Sequence, residues 1–344
     1  MPEKIKTTKK ISHNTVTLVL VFGLYAALAA LLYSGVLTRQ FTNMLVSLSC
    51  YVVLAVSLNL VVGLLGELSL GHAGFMSVGL FAGCWLSIKL SSVLPSVVAL
   101  PISVVFGGLC AAIIGVVVGL PALRLKGDYL AIVTLACGEI IRNIITNIIP
   151  KGLNTAGVMM KVPTLFPFAA VLVFITIIVM MNLKKSRHGR AITAIRDNRI
   201  AAEAMGLNVT YYKLVVFTLA AFFAGMAGVV YGHSLALSQA TSFDYNMSIE
   251  ILVIVVLGGM GSISGSVIAA IILRMLPELL RGLDNYRMLM YSVLLIVIML
   301  LNASPKFAEL KGKFSVTNLI RFICEKNAAK SADNGKDNGK EDAR

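Results

Sequence analysis

The sequence predicts an all-α polytopic membrane protein with about ten transmembrane helices, some of them broken at glycines. Hydrophobic residues make up 58% of the 344 residues and charged residues only 13%, whereas a soluble domain carries roughly 25% charged residues. The apolar runs are continuous and long enough to cross a bilayer, which takes about 20 residues. A transmembrane β-barrel would instead have short segments of alternating polarity.

The predicted spans follow the apolar runs along the chain. The first run comes after a group of lysines, as in a signal peptide. It is longer than the roughly 7–15 apolar residues of such a peptide, so we expect a retained first span. The spans are predicted near 16–37, 41–62, 72–90, 95–120, 128–149, 165–183, 213–236, 247–258, 262–281 and 286–302.

Positive charge predicts the orientation of these spans. A net charge of +14 would suggest a nucleic-acid partner for a soluble protein, but in a membrane protein basic residues collect in the cytoplasmic loops. This rule predicts a basic cytoplasmic N-terminus over 1–15 and a transmembrane domain over 16–302. It also places the basic cluster 184–199 and the tail 303–344 in the cytoplasm, so both termini are cytoplasmic. The tail is polar and rich in turn-forming residues, and we expect disorder from about 325.

Glycines interrupt the apolar sequence at two places, 66–90 and 247–281. Each place is compatible with two full crossings or with a re-entrant pair of shorter helices. Broken apolar segments point to substrate sites in transporters, because the freed backbone groups can face a cavity. The same glycines are equally compatible with close helix packing and no contact with substrate.

Charged and polar residues inside the spans are candidates for a substrate pathway, because they are costly to place in a bilayer. Glu139 and Arg142 are three residues apart and share one helix face, so they form either a structural ion pair or part of the pathway. Glu67 and His72 lie in the first glycine-rich break, and Asn59 lies just before it. These three also have a structural reading, as groups that hydrogen-bond neighbouring helices.

A polar loop, 187–212, separates the sixth and seventh predicted spans. Asp197 is a good N-cap for a helix beginning at Asn198, and Gly206 is suited to end that helix. A surface helix lying on lipid headgroups and a docking helix for a cytoplasmic partner both fit such an element. The apolar side chains predicted to share one face are Ile192, Ile195, Ala202 and Met205.

The sequence contains no motif for chemistry of its own. It has neither the G-x-x-x-x-G-K-[ST] motif of a phosphate-binding loop nor the H-E-x-x-H motif of a zinc site. The four histidines are far apart, and the five cysteines have no metal-ligand spacing and are expected to be free thiols. We therefore predict no catalytic residue, no metal and no bound cofactor, with energy supplied by an ion gradient or by ATP on a partner.

Four stretches of the sequence resemble one family of transport proteins. They are "GELSLGHAGFMSVGLFAG" from Gly66, "KGDYLAIVTLACGEIIRN" from Lys126, "RHGRAITAIRDNRIAAEAMGLNVTYYKLVVFTLAAFFAGMAG" from Arg187 and "VLGGMGSISGSVIAA" from Val256. Together they are similar to the permease subunits of branched-chain amino acid ABC importers. The stretch from Lys126 is similar to the LivM-type subunit rather than to its LivH-type sister.

The resemblance implies a multi-subunit importer in a bacterial inner membrane. A second, homologous permease pairs with this chain, two ATPase subunits bind ATP-Mg beneath them, and an external binding protein delivers substrate. The polar loop resembles the coupling helix that fits a groove on an ATPase, although Ile200 stands where many importers have glutamate. The residues that the resemblance implies for ATPase contact are Arg190, Arg196, Asp197, Ala201, Ala202 and Gly206.

Three other functions remain open from the sequence. The same machine could carry urea or a short amide, because related permeases share these stretches. An ion-coupled carrier or channel would act without an ATPase and would leave the polar loop without a partner. A membrane-anchored scaffold would tolerate changes to the charges inside the membrane.

Overall fold

The computed structural model describes residues 13–34, 39–125, 127–279 and six positions between 289 and 300. The predicted span near 286–302 lies mostly outside these residues, and the tail 303–344 lies wholly outside them. The chain divides into a unit Val21–Asp284 and a second unit of Met1–Leu20 with Asn285–Arg344. The described part of the second unit is helical, and every contact reported below lies within Val21–Asp284.

The described residues are almost entirely helical. A π-helix, Leu60–Leu65, continues α2 and ends at Gly66, a 3₁₀ turn covers Ala240–Ser242, and Leu153–Asn154 (β1) pairs antiparallel with Leu237–Ser238 (β2). The α-helices are α1 (His13–Tyr33), α2 (Arg39–Asn59), α3 (His72–Leu90), α4 (Ser96–Ala122), α5 (Asp128–Ile148), α6 (Val162–Lys185), α7 (Arg187–Asp197), α8 (Arg199–Ala204), α9 (Val209–Gly232), α10 (Tyr245–Gly258) and α11 (Ile263–Leu279).

Seven of the described helical segments are long and apolar enough to cross a membrane, which confirms a polytopic helical membrane protein. The predicted number of about ten is not confirmed. The helix α11 is present but has only 17 residues, and in the first predicted span the apolar segment Val21–Leu32 is shorter still. The cytoplasmic location of the two termini remains a prediction. The seven segments are Phe41–Leu65, His72–Leu90, Ser96–Ala122, Asp128–Ile148, Val162–Lys185, Val209–Gly232 and Ala240–Gly258.

The helix α2 and its π-helical extension form the centre of the fold. The most apolar stretch of Phe41–Leu65 is 94% buried inside the protein. This burial is expected for a helix that is apolar on all sides. It packs against α6, α9, α10 and α11. Polar residues near the end of α2 are therefore held inside the protein and away from lipid.

The helices α3, α4 and α9 pack closely through glycines. A Cβ atom on Gly79 of α3 would overlap the backbone of Gly225 in α9, and one on Gly228 would overlap the carbonyl of Met76. A Cβ atom on Gly107 of α4 would lie 2.6 Å from the carbonyl oxygen of Gly79. In lipid, such small residues let helix backbones approach closely and gain van der Waals contact. These glycines therefore serve packing.

The loops at the far end of α9 are fixed by hydrogen bonds. The amide of Thr155 donates to the carbonyl of Ala236, and the amide of Met160 donates to that of His233. The ring of His233 lies 2.9 Å from the hydroxyl of Ser87. Burial lowers the pKa of His233, and its hydrogen bond to the carbonyl of Val229 offsets part of that shift.

Candidate functional site

The first break, residues 66–71, separates the π-helix from α3. It begins at Gly66, whose φ of 79° lies in the left-handed region that favours glycine. Side chains from other helices bind the amides freed by the break. The amide of Leu70 donates to the hydroxyl of Thr134 at 3.0 Å, and the amide of Ala73, in the first turn of α3, donates to that of Ser248 at 3.2 Å. The break is thus a built feature held by α5 and α10.

A buried ion pair lies within the first break. The ammonium of Lys213, in the first turns of α9, donates to one carboxylate oxygen of Glu67. The two side chains are only 5% and 14% exposed. Within the described part of the chain, the other oxygen of Glu67 and the hydroxyl of Ser69 have no hydrogen-bond partner. The sequence analysis named Glu67 but not Lys213, although a lysine inside an apolar span is itself a signal.

His72 is buried at the start of α3. Its Nε2 atom lies 2.8 Å from the hydroxyl of Ser57 on α2, and the residue is 1% exposed. This contact ties the beginning of α3 to the central helix. This geometry agrees with a packing role for His72, which the sequence allowed as an alternative to a place in the substrate pathway.

Glu139 and Arg142 form an ion pair on α5, as their spacing predicted. The guanidinium lies 2.6 Å from the carboxylate, and both side chains are about a quarter exposed, at 24% and 26%. The second oxygen of Glu139 accepts a hydrogen bond of 3.0 Å from the amide of Tyr245. Because Tyr245 is the first residue of α10, the carboxylate also neutralises the positive end of that helix. The pair therefore joins α5 to α10.

A second charged cluster is centred on Arg274, a residue that the sequence analysis did not name. Arg274 of α11 lies 3.6 Å from the carboxylate of Glu250 on α10 and 4.3 Å from the ring centre of Tyr51 on α2. It also donates to the hydroxyl of Ser47 at 3.0 Å, and Tyr51 donates to Glu250 at 3.2 Å. An arginine within an apolar run was the signal that could have found it.

The second break, residues 259–262, separates α10 from α11 and contacts the end of α2. Gly259 and Gly261 have positive φ angles of 92° and 81°. The side chain of Asn59 accepts from the amide of Gly261 at 2.7 Å and donates to the carbonyl of Ser262 at 3.0 Å. It also donates to the hydroxyl of Ser266 at 2.9 Å. Asn59 thus holds this break against the central helix.

The predicted pathway residues do not form one cluster. Glu139 pairs with Arg142, but among the described residues no hydrogen bond or ion pair joins either of them to Glu67, His72 or Asn59. They mark separate places: the first break, the start of α3, the junction of α5 with α10, and the second break.

The polar loop forms two short helices, α7 and α8, which we call the loop helices. The prediction that Asp197 caps a helix starting at Asn198 is wrong by one residue. Asn198 itself is the N-cap, since its side chain accepts from the amide of Ala201 at 3.0 Å, and the helix begins at Arg199. The carboxylate of Asp197 instead pairs with Arg196 at 2.9 Å.

The end of α8 agrees with the prediction for Gly206. This residue has a φ of 82°, and its amide donates to the carbonyl of Glu203 at 3.0 Å. The amide of Leu207 donates to the carbonyl of Ala202 at 3.1 Å. These two bonds form a Schellman motif, in which a left-handed glycine ends the helix.

The predicted apolar face is right for α7 but wrong for Met205. Ile192, Ile195 and Ala202 are buried, whereas Met205 is 83% exposed. Met205 follows Ala204, the last residue of α8, and is the C-cap of that helix, so the helical spacing from Ala202 does not extend to it. Ala202 packs with Ile195 and Val209 of its own chain, while Ala201 is exposed.

The arginines of the loop helices have different partners. Arg190 is exposed and donates to the carbonyl of Lys185 at 3.3 Å. Arg196 reaches the membrane domain, where it donates to the carbonyl of Gly63 at 3.1 Å. Of the two, Arg196 is therefore the one that is bonded to the membrane helices.

A cavity of about 340 Å³ lies where α7 meets the π-helix and the second break. Its walls come from the end of α2, the π-helix, the end of α6, α7 and the second break. Two of its lining residues are basic, Lys184 and Arg196. Lys184 donates to the carbonyl of Gly261 at 2.7 Å.

Together the fold and these sites define a class of protein. Broken helices with buried polar groups at the breaks are typical of transporters, in which irregular backbone is tolerated only where it is buried in protein or lines a cavity. Residues 40–302 match a family model described as the permease component of branched-chain amino acid transport systems. The chain belongs to this family.

Comparison with curated proteins gives the same grouping. The chain is 36% identical over 285 residues to the high-affinity branched-chain amino acid transport system permease protein LivM of Salmonella typhimurium, covering 73% of this chain and 66% of that protein. It is 36% identical over 286 residues to the LivM protein of Escherichia coli, with the same coverage of 73% and 66%. It thus spans slightly less than two thirds of the length of these relatives.

A more distant relative transports a different kind of compound. The chain is 26% identical over 280 residues to the ribose import permease protein RbsC of Haemophilus influenzae, covering 75% of this chain and 83% of that protein. No solved structure matches the chain.

Proposed function

We propose that this chain is one of two permease subunits of an ABC importer for branched-chain or related amino acids in a bacterial inner membrane. ATP binding and hydrolysis on two partner ATPases move the loop helices, and the membrane helices re-pack so that substrate passes inward. An external binding protein delivers the substrate. The observation that carries this proposal is the match of residues 40–302 to the branched-chain amino acid permease family.

The exposed face of the loop helices supports docking to an ATPase. Two large apolar side chains, Ile200 and Met205, are 80% and 83% exposed within this chain. Exposed apolar residues on short capped helices favour a protein partner, because burying them there removes apolar surface from water. We therefore propose that Ile200 and Met205 contact the ATPase together with Ala201 and Arg190. Ala202 is no longer among the proposed contacts, because it is buried in its own chain.

The exposed face of α5 supports pairing with a second permease. Of the seven candidate spans, α5 is the least buried in this chain, with 22% of its window inside the protein. Asn143 and Asn147 are exposed on it, and polar side chains are unfavourable against lipid. We propose that this face, together with the Glu139–Arg142 pair, lines the substrate pathway between two permeases.

Co-purification tests the docking face. The chain is expressed with the ATPases and the second permease of the same organism, extracted in mild detergent, and compared with the variants Ile200→Asp and Met205→Asp. We expect both variants to lose most of the ATPase subunits while keeping the second permease. The control is Val93→Asp, which changes an equally exposed residue, 80%, in the turn between α3 and α4.

Two outcomes would count against the proposal. If the wild-type chain retains no ATPase, the importer assignment fails. If ATPases bind both variants as well as they bind Val93→Asp, the assignment stands but the docking face lies elsewhere.

A further inference from the structure

We propose that Arg196, Lys184 and Asn59 form a latch, by which movement of the loop helices reaches both glycine breaks of the membrane domain. This inference rests on the proposed function, since it concerns how movement on the ATPase side is passed to the helices. In this proposal Arg196 acts within its own chain and does not contact the ATPase. Lys184, for which the sequence analysis gave no role, acts together with it.

Arg196 attaches α7 to the π-helix and to Gly66, the first residue of the first break. Its guanidinium donates to the carbonyl of Gly63 at 3.1 Å, which lies in the last turn of the π-helix, where carbonyls lack helical partners. The stem of the same side chain lies against Gly66, so that a Cβ atom there would approach the Cγ atom of Arg196 to 2.6 Å. Short π-helical segments frequently occur at functional sites.

Lys184 attaches the other end of α7 to the second break. It lies in the last turn of α6, just before Ser186, whose hydroxyl caps α7 by accepting from the amide of Gly189 at 3.1 Å. Its ammonium donates to the carbonyl of Gly261 at 2.7 Å. The helix α7 is thus held near both of its ends, at one end to the π-helix that leads into the first break and at the other to the second break.

Asn59 joins the second break to the π-helix that leads into the first break. Its side-chain amide makes two hydrogen bonds to the second break and a third to Ser266 in α11, and the residue itself stands one position before the π-helix. Gly63 and Gly261 are in such close contact that a Cβ atom on Gly63 would overlap the amide nitrogen of Gly261. Because the second break touches the π-helix, a displacement of the second break is passed to the helix that leads into the first break.

The cavity beside the latch gives these parts room to move. Asn59, Gly63, Lys184, Arg196 and Gly261 all line the same space of about 340 Å³. The hydrogen bonds of Arg196 and Lys184 end on the backbone carbonyls of Gly63 and Gly261, so a rotation of α7 pulls on the backbone itself. A shift of α7 therefore acts on the π-helix beside the first break and on the second break.

The test uses the complete importer in lipid vesicles. The binding protein is added on the side of the membrane from which substrate is loaded, and ATP is added on the side of the ATPases. Two quantities are measured for each variant, the rate of ATP hydrolysis and the amount of substrate moved per ATP. The variants are Arg196→Met and Lys184→Met, which keep an apolar stem but remove the donors. The matched control is Lys185→Met, because Lys185 is the exposed neighbour of Lys184 and is not part of the latch.

We expect both latch variants to assemble with the ATPases and to hydrolyse ATP, but to move about tenfold less substrate per ATP. Arg196→Lys, which restores one donor and the charge, should recover part of the loss. The double variant Arg196→Met with Asn59→Leu should be no worse than the more affected single variant, because residues that act as one unit are not additive.

The outcomes separate the latch from the proposed function. If both latch variants move as much substrate per ATP as the wild-type importer, the latch is overturned and the importer assignment is unaffected. Loss of the ATPases from Arg196→Met also overturns it, because Arg196 would then be a docking residue. A wild-type complex that moves no substrate with ATP overturns both proposals.

Discussion

Lys213 donates a hydrogen bond to the carboxylate of Glu67, 146 residues earlier in the chain, and their side chains are only 5% and 14% exposed. An isolated charge at such a position is costly, so the pair holds the first break against α9 only while both partners are present. Removing one partner should therefore harm the protein more than removing both.

The first prediction concerns this ion pair. Lys213→Met should lower the free energy of unfolding by about 3–5 kcal/mol, because it leaves the carboxylate of Glu67 buried and unpaired. The double variant Lys213→Met with Glu67→Leu should recover most of that loss. Thermal unfolding of the detergent-purified protein, followed by size-exclusion chromatography after heating, measures both. Equal loss in the single and double variants would show that the pair is not what stabilises the break.

The second prediction concerns the packing of α3 against α9. Gly79→Ala places a Cβ atom into the backbone of Gly225, and we expect a destabilisation of about 1–3 kcal/mol from this overlap. Gly23→Ala in α1 is the control, because nothing lies within 4 Å of its Cβ position and alanine favours the helix. The same thermal assay applies. A Gly79→Ala protein as stable as the Gly23→Ala protein would contradict the tight packing.

The third prediction distinguishes two neighbouring candidates for a helix cap. Asn198→Ala should destabilise α8 by about 1 kcal/mol, because it removes the acceptor for the amide of Ala201. Hydrogen exchange over 199–204 should then become roughly fivefold faster. Asp197→Ala should leave this exchange near its wild-type rate. If exchange becomes faster in Asp197→Ala but not in Asn198→Ala, then Asp197 is the cap, as the sequence predicted.

The fourth prediction concerns Arg274. Arg274→Met removes a hydrogen bond to Ser47, the charge facing Glu250 and the contact over the ring of Tyr51. We expect a loss of about 2 kcal/mol in the thermal assay. Arg274→Lys should recover only part of it, since lysine keeps the charge but not the planar contact with the ring. Full recovery by lysine would mean that charge alone matters at this position.

Local features of the site could be predicted from the sequence, whereas contacts between distant segments could not. The Glu139–Arg142 pair follows from helical spacing, and Gly206 follows from the need for a left-handed residue at a helix end. Asn198 and Asp197 are adjacent and equally good caps, so composition cannot choose between them.

The remaining differences have physical causes of the same kind. Met205 was placed on the buried face because the helix was expected to run to Gly206, whereas α8 ends at Ala204 and Met205 is its exposed C-cap. The contacts of Lys213 with Glu67 and of Asn59 with Gly261 depend on how helices pack, which a periodicity does not reveal. The count of about ten spans is not confirmed, because α11 has 17 described residues and the span predicted near 286–302 lies mostly outside the described part of the chain.

Uptake into vesicles tests the central claim most directly. The chain, a second permease and the ATPases are reconstituted, and the entry of radiolabelled leucine is measured with the binding protein, with ATP, and with an imposed ion gradient. The account predicts uptake that requires ATP and the binding protein and is unaffected by the gradient. Uptake driven by the gradient in the absence of ATP would contradict it and would identify the chain as an ion-coupled carrier.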